Sequence, residues 1–117
     1  MNFSDLDLFE KLIIASDDDL DAVNFGIIGI NNQNNVVIYN KAEEEYSSYH
    51  RNSVVGKNLF LDIAPCMNNY MVALKFEERD SFDETIPYVL SFKVKPAPVQ
   101  LRLIKKDGNG FVLIKKG

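Results

Sequence analysis

A change of apolar period near residue 85 is the feature that most limits how this chain can fold. From there Tyr88, Leu90, Phe92 and Val94 alternate with Val89, Ser91 and Lys93, and Val99, Leu101 and Leu103 alternate with Gln100 and Arg102. A period of two puts each set on its own face of a strand. Pro96-Ala97-Pro98 separates the two runs, because proline cannot donate to a ladder. Asp107-Gly108-Asn109-Gly110 is a strong turn ahead of a last strand at 111–115. Two more strands stand earlier. Phe25–Ile30 and Val36–Tyr39 are apolar, and Asn31-Asn32-Gln33-Asn34-Asn35 between them favours a tight turn, so they form a hairpin.

The remaining segments carry helical signals. Leu6, Phe9, Leu12 and Ile13 recur at helical spacing, so residues 5–15 read as an amphipathic helix with a weak cap at Ser4 and Asp7. Asp17, Asp18 and Asp19 suit the first turn of a second short helix, where the dipole favours negative charge. Short helical turns are expected around 41–49 and 53–60. A longer helix is expected from 68 to 78, offering Tyr70, Ala73, Leu74 and Phe76 to the core, then a charged loop at 77–84. The fold class is therefore α+β: a five-stranded antiparallel sheet with a short helical connector. Residues 1–22 read as an N-terminal helical cap and 23–117 as the core of a single domain.

Composition removes several functions. At 117 residues the chain fits one domain. Its net charge of −4 and pI of about 4.9 argue against a nucleic-acid module, which needs Lys and Arg for phosphate contacts. The basic residues Lys93, Lys95, Arg102, Lys105, Lys106, Lys115 and Lys116 read as an ordinary solvated sheet edge. With one cysteine there is no internal disulfide, and with His50 as the one histidine no metal site is expected. No apolar run approaches the ~20 residues that span a bilayer, and Met1 leads into no signal-like stretch, so a cytoplasmic protein without membrane contact is expected.

Three residues carry chemistry. Tyr39, Glu43 four positions later and Cys66 bring together a phenol, a carboxyl and a thiol. A thiol can tether an acyl group, while a phenol and a carboxyl can share protons with that group's far end. Each residue also has a plain reading: Cys66 as a small buried hydrophobe or a redox thiol, Glu43 as a solvated charge, Tyr39 as a strand-end aromatic. Pro65 limits the backbone before Cys66, and a helix starting at residue 67 would favour the thiolate. Ile28, Val55, Leu59, Ile63, Phe92 and Val94 are available as a dry pocket wall or as ordinary core. His50 is the only imidazole for thiol catalysis, and no oxyanion element accompanies it, so the chain is not expected to be an enzyme.

Hairpin, short helices, then three antiparallel strands is the order of a PAS domain. Within it Phe25-Gly26, Tyr39-Asn40, Ala42-Glu43, Val55-Gly56-Lys57-Asn58, Asp62-Ile63-Ala64-Pro65-Cys66 and Phe92 resemble the photoactive yellow protein family of PAS-type blue-light receptors. The resemblance runs without a gap from about Phe25 to Phe76 and covers nearly the whole chain. It implies p-coumaric acid (4-hydroxycinnamic acid) attached by a thioester to Cys66, next to Ala64 and Pro65. It implies a phenolate end held by Tyr39 and a protonated Glu43, with Ser47 behind them. Burial beside that charge would keep Glu43 neutral.

The sequence also departs from the family pattern. Tyr49 stands where the family has an arginine over the phenolate, with His50 and Arg51 near enough to replace it. Glu44 stands where the pattern has glycine, Val94 where an aromatic is common, and Pro96 or Ala97 near a methionine that aids re-isomerisation. The implied cycle is photoisomerisation, proton transfer from Glu43, and partial unfolding that releases residues 1–22 to a downstream signalling protein. The alternative is a light-independent PAS sensor or interaction module that binds another small ligand and leaves Cys66 as a redox or core thiol.

Overall fold

Two tight hairpins fix the register of the sheet. Asn31 Oδ1 accepts from the N–H groups of Gln33 and Asn35, both at 3.0 Å, and Asn34 takes a left-handed φ of 63°. This turn sends β1 (Gly26–Ile30) back as β2 (Val36–Tyr39), with Ile28 opposite Tyr39. β3 (Phe82–Leu90) pairs with β4 (Ala97–Lys106). Asp107 and Gly108, at φ 52° and 79°, then turn β4 into β5 (Asn109–Lys116). Positive φ at both central residues matches the right-handed twist of paired strands. β5 also pairs with β1, closing a five-stranded antiparallel sheet of order β2-β1-β5-β4-β3.

The computed structural model describes residues 1–90 and 96–116. Phe92 and Val94, expected in the third strand and pocket wall, lie outside the described residues, as do Lys93 and Lys95. Among the described residues, no helix is long and apolar enough to cross a membrane.

Alternation along the strands feeds two cores, one per face. On one face Ile27, Ile104, Phe111 and Leu113 meet Phe3, Leu8, Leu12, Leu20 and Phe25 of the N-terminal segment. That segment holds α1 (Leu8–Ile14) and α2 (Asp17–Ala22). α2 is capped reciprocally: Asp19 N–H donates to Ser16 Oγ and Ser16 N–H donates to Asp19 Oδ2, both at 3.1 Å. α1 corrects the sequence expectation. It begins at Leu8, with Asp7 rather than Ser4 at the N-cap position and without a side-chain cap bond there, and buries Leu8 and Leu12 one turn apart. Leu6 is 99% exposed and Ile13 47%, because the docking sheet selects the 8/12 stripe.

Arg102 is a second correction. It is 6% exposed, donating Nη1–H to Phe3 O at 2.8 Å and Asp5 O at 2.7 Å, with Nε and Nη2 on Asp83 at 3.0 and 2.8 Å. A buried guanidinium persists where its donors are satisfied, and here the N-terminal segment supplies the partners.

The opposite face carries the connector: α3 (Lys41–Ser47), α4 (Arg51–Val54), a π-helical turn at Leu59–Ile63, a 3₁₀ turn at Pro65–Met67, and α5 (Ala73–Glu78). These cover Ile28, Ile30, Leu101, Leu103, Val112 and Ile114. The long helix expected from 68 is only its last part. Asn69 Oδ1 accepts from Met71 N–H at 2.9 Å and Val72 N–H at 3.2 Å, a side-chain turn that delays the helix to Ala73. Ala73 and Phe76 are buried as expected, whereas Tyr70 is 75% exposed and Leu74 38%. β3 begins at Phe82, inside the expected charged loop. The outer edge of β2 is covered at Val36, where the N–H donates to Lys57 O at 2.9 Å and the carbonyl accepts from Gly56 N–H at 2.8 Å.

Candidate functional site

Asn40 places the site. As N-cap of α3 it accepts on Oδ1 from Glu43 N–H (3.1 Å) and Ile27 N–H (2.8 Å). Its Nδ2 donates to Leu20 O (2.9 Å) and Phe25 O (3.0 Å). Every hydrogen-bonding position of this 1% exposed amide is filled, which also fixes its orientation. The start of α3 is thereby tied to β1 and to the cap. The helix then lays Glu43 over Gly26, where an added Cβ would overlap the carboxyl oxygen Oε1. Only glycine allows so close an approach.

Tyr39, Glu43 and Ser47 meet at this point, from the end of β2 and successive turns of α3. Tyr39 Oη lies 2.6 Å from Ser47 Oγ and 3.4 Å from Glu43 Oε2. Ser47 donates its proton to Glu43 O at 2.9 Å and accepts from Tyr49 N–H at 3.1 Å. Having spent its one proton, Ser47 accepts from Tyr39. At 3.4 Å the same Tyr39 hydroxyl makes a second, longer donor contact to Glu43 Oε2.

Glu43 is fully buried, and its Oε1 has no hydrogen-bond partner among the described residues. Burial pushes its pKa up to about 8, against the opposing pull of the Tyr39 hydrogen bond and the more remote Lys116 charge. The N-terminal position in α3 favours an anion, but desolvation wins. Burial, then the Glu43 charge, also raises the Tyr39 phenol well above its ordinary value. The site is thus a neutral carboxyl and a neutral phenol with one polar oxygen left open. A buried polar atom without a partner costs about 1–3 kcal/mol. A hydrogen-bonding ligand group beside Tyr39 would remove that cost, so these residues fit a phenolic ligand end.

Cys66 sits in the Pro65–Met67 turn, partly exposed, and packs on the core that contains Tyr39, Ile28, Leu59, Ile63 and Ala64. Leu59, Ile63 and Ala64 are buried, and Pro65 is exposed beside them. The helix expected from residue 67 is absent, since α5 begins at Ala73, so the helix-terminus argument for a thiolate lapses. Two residues not singled out from the sequence hold this turn. Tyr88 Oη donates to Cys66 O at 2.6 Å, and Asn69 Nδ2 donates to Cys66 O at 3.0 Å and to Tyr88 Oη at 2.6 Å. The available signal was Tyr88 on the core-facing side of the alternation, because a half-buried tyrosine needs a partner for its hydroxyl.

Two expected wall or gate residues lie elsewhere. Val55 is 46% exposed, beside a surface hollow of about 170 Å³ shared with Val37, Asp21 and Arg51. α4 ends one residue earlier, so Val54 takes the buried position. Tyr49 is 45% exposed, in the linker that follows the left-handed Ser48. Arg51 is committed outward, with Nη2 3.1 and 3.2 Å from the Asp21 oxygens and 3.0 Å from Glu44 Oε1. His50 is exposed, 3.4 Å from Glu44. Hydrogen bonds from the Arg51 backbone, then its guanidinium, hold the Glu44 carboxyl below its usual range. Glu44 has therefore drawn both candidate cations to the surface.

No family model matches the sequence. The chain is 30% identical over 121 residues to the photoactive yellow protein of Halochromatium salexigens, covering 99% of this chain and 97% of that one. The photoactive yellow protein domain of the sensor histidine kinase Ppr from Rhodospirillum centenum superposes with a TM-score of 0.84 at 22% identity, covering 92% of this chain and 98% of that one. The PAS domain of an HTR-like protein from Haloarcula marismortui superposes with a TM-score of 0.70 at 8% identity, covering 96% and 100%. The fold is a PAS fold.

Proposed function

The chain belongs to the photoactive yellow protein family, and on that premise we propose that it is a blue-light photoreceptor carrying p-coumaric acid as a thioester on Cys66. When bound, that group supplies a phenolic oxygen and a double bond that blue light isomerises. The observation that carries the reading is Glu43: fully buried, its pKa pushed up by that burial, and holding beside Tyr39 an oxygen left open among the described residues. Such a carboxyl has little structural use without a ligand.

Each residue then has a task. Cys66 is the tether and does not turn over. Ile28, Leu59, Ile63 and Ala64 keep water out. Tyr39 and Glu43 hold the polar end of the ligand, and Ser47 fixes the direction of the Tyr39 hydroxyl. Glu43 keeps its proton in the dark. Loss of that proton leaves a carboxylate in an apolar site, at a cost of several kcal/mol, on the order of the stability of a small domain. Opening admits water and relieves the cost. The cap is the element to open, because Asn40 joins α3 to Leu20 and Phe25. A downstream signalling protein in the cytoplasm reads the change, without nucleic acid, membrane or metal.

Intact-mass spectrometry after incubation with an activated p-coumaroyl donor tests this. One stable adduct per chain with a yellow colour, both lost in Cys66→Ser, is the expected result. A colourless, unmodified chain overturns the reading, and catalytic consumption of the donor points to a thiol enzyme. One observation favours a light-independent PAS module for another small ligand: Arg51 and His50 face Glu44, so neither replaces the arginine that the family resemblance places over the phenolate. The same incubation separates the two.

A further inference from the structure

Lys115 and Lys116 follow one another in β5 and leave the sheet on opposite faces, as strand alternation requires. Lys115 Nζ lies 5.9 Å from the centroid of the Phe3 ring on the cap side. Lys116 Nζ lies 4.5 Å from the centroid of the Tyr46 ring on the connector side. Ile114, two residues before Lys116, shares that side and stands opposite Gly26, the residue that Glu43 covers. Tyr46 comes three residues after Glu43 in α3, so the two side chains are neighbours on the helix surface. Its hydroxyl donates to Asn24 O at 2.9 Å, which ties the ring to the entry of β1. An aromatic face attracts an ammonium without cancelling its charge. The cation is thus stationed beside Glu43 with its field intact.

We propose that Lys116, stationed on the Tyr46 ring, is the counter-cation of Glu43, a positioning residue that makes the carboxylate form accessible at a buried site. The other elements packed on α3 bring no competing charge to this carboxyl. β1 brings Gly26, and β2 brings the Tyr39 phenol. α2 brings Asp21, which is already held by Arg51 and by Lys41 N–H. On α3 itself Glu44 is drawn to Arg51 and His50, and Glu45 is exposed. Burial raises the pKa of Glu43, and the Lys116 charge pulls against that rise. Lys116 is exposed, so solvent weakens the pull without removing it. This charge relation belongs to the chain without any ligand. Its bearing on the light step rests on the photoreceptor reading, in which Glu43 gives up its proton.

Carbon-13 NMR of the glutamate carboxyls, followed through a pH titration of the chromophore-free chain, reads the Glu43 midpoint, assigned by its loss in Glu43→Gln. Lys116→Gln is expected to raise the proton affinity of Glu43 roughly three- to tenfold, an upward shift of roughly 0.5–1 pH unit. Lys116→Arg restores the parent midpoint, because a guanidinium keeps the charge and stacks on the ring. Lys115→Gln removes the same charge from the other face and leaves the midpoint in place. Tyr46→Leu releases the ammonium and raises the midpoint, whereas Tyr46→Phe keeps the ring and does not. An unchanged midpoint in Lys116→Gln or in Tyr46→Leu, or an equal rise in Lys115→Gln, overturns the inference. A chain that never forms a p-coumaroyl adduct overturns the photoreceptor reading and leaves this titration standing, so the two failures are distinct.

Discussion

Arg51 Nη2 reaches both carboxylate oxygens of Asp21, at 3.1 and 3.2 Å, and so bridges the cap helix α2 to the connector across 30 residues of sequence. The same nitrogen contacts Glu44 in α3. This half-exposed bridge is a salt-sensitive hold on the cap. Arg51→Gln is expected to lower stability by about 0.5–1 kcal/mol at low ionic strength. The difference should vanish near ~1 M salt, where charges are screened within a few ångströms. Urea unfolding at both salt levels measures it, and a loss independent of salt would assign Arg51 a packing role instead.

Glu43 sets the pH dependence. Its folded pKa of about 8 lies above the ordinary 4.5 of a solvated glutamate, so between those values the folded chain holds a proton that the unfolded chain has lost. The stabilisation is complete below about 4.5, falls as pH rises through that window, and levels off beyond about 8. The slope contributed by this group approaches ~1.4 kcal/mol per pH unit. Glu43→Gln removes the slope, and in the loaded chain it should keep the colour, shift the absorption and abolish the large structural change. An equally steep slope in the variant would show that another group titrates.

Gly26 is required by the Glu43 carboxyl rather than by its own backbone. Gly26→Ala puts a methyl where Oε1 lies and should cost roughly 1–3 kcal/mol as an overpacked site. Combined with Glu43→Ala, the loss in the double variant should be smaller than the sum of the two single losses. Additive losses in thermal or urea unfolding would place the strain elsewhere.

Arg102→Met should free the N-terminal segment. The variant loses the bonds to Phe3 O, Asp5 O and Asp83 and leaves the two carbonyls short of a donor. A loss of roughly 2–4 kcal/mol is expected. Proteolysis within residues 1–15 should accelerate well before the sheet opens. Unchanged protection of that segment would mean that the apolar contacts of Leu8 and Leu12 hold it alone.

What could be read in the sequence was what is local. The asparagine run, Asp107-Gly108 and the acidic start of α2 each dictate their backbone within a few residues, and each appears where expected. The alternation in β4 and β5 likewise separates the two cores. The misses are tertiary. In α1 the stripes 6/9/12/13 and 8/12 both satisfy helical spacing, and only the docking sheet chooses between them. Asn69 interrupts a helix that apolar spacing alone would continue, because a side-chain turn leaves no mark in the period. Arg102 looked solvated because its partners lie 99, 97 and 19 residues away. At the candidate site, Tyr39, Glu43 and Ser47 were named from resemblance. The direction of each proton among them, and the Tyr88 hold on the turn of Cys66, depend on contacts between distant elements.

The Arg102 contacts also order events in time. Phe3 and Asp5 are joined to a residue made 99 and 97 positions later. The apolar platform of the cap, Ile104, Phe111 and Leu113, emerges later still. A ribosome therefore delivers Phe3, Leu8, Leu12 and Leu20 long before most of the sheet face they cover, of which only Ile27 follows soon after. Docking of residues 3–20 therefore waits for Ile104, Phe111 and Leu113, and their apolar side chains stay largely uncovered until those strands have emerged.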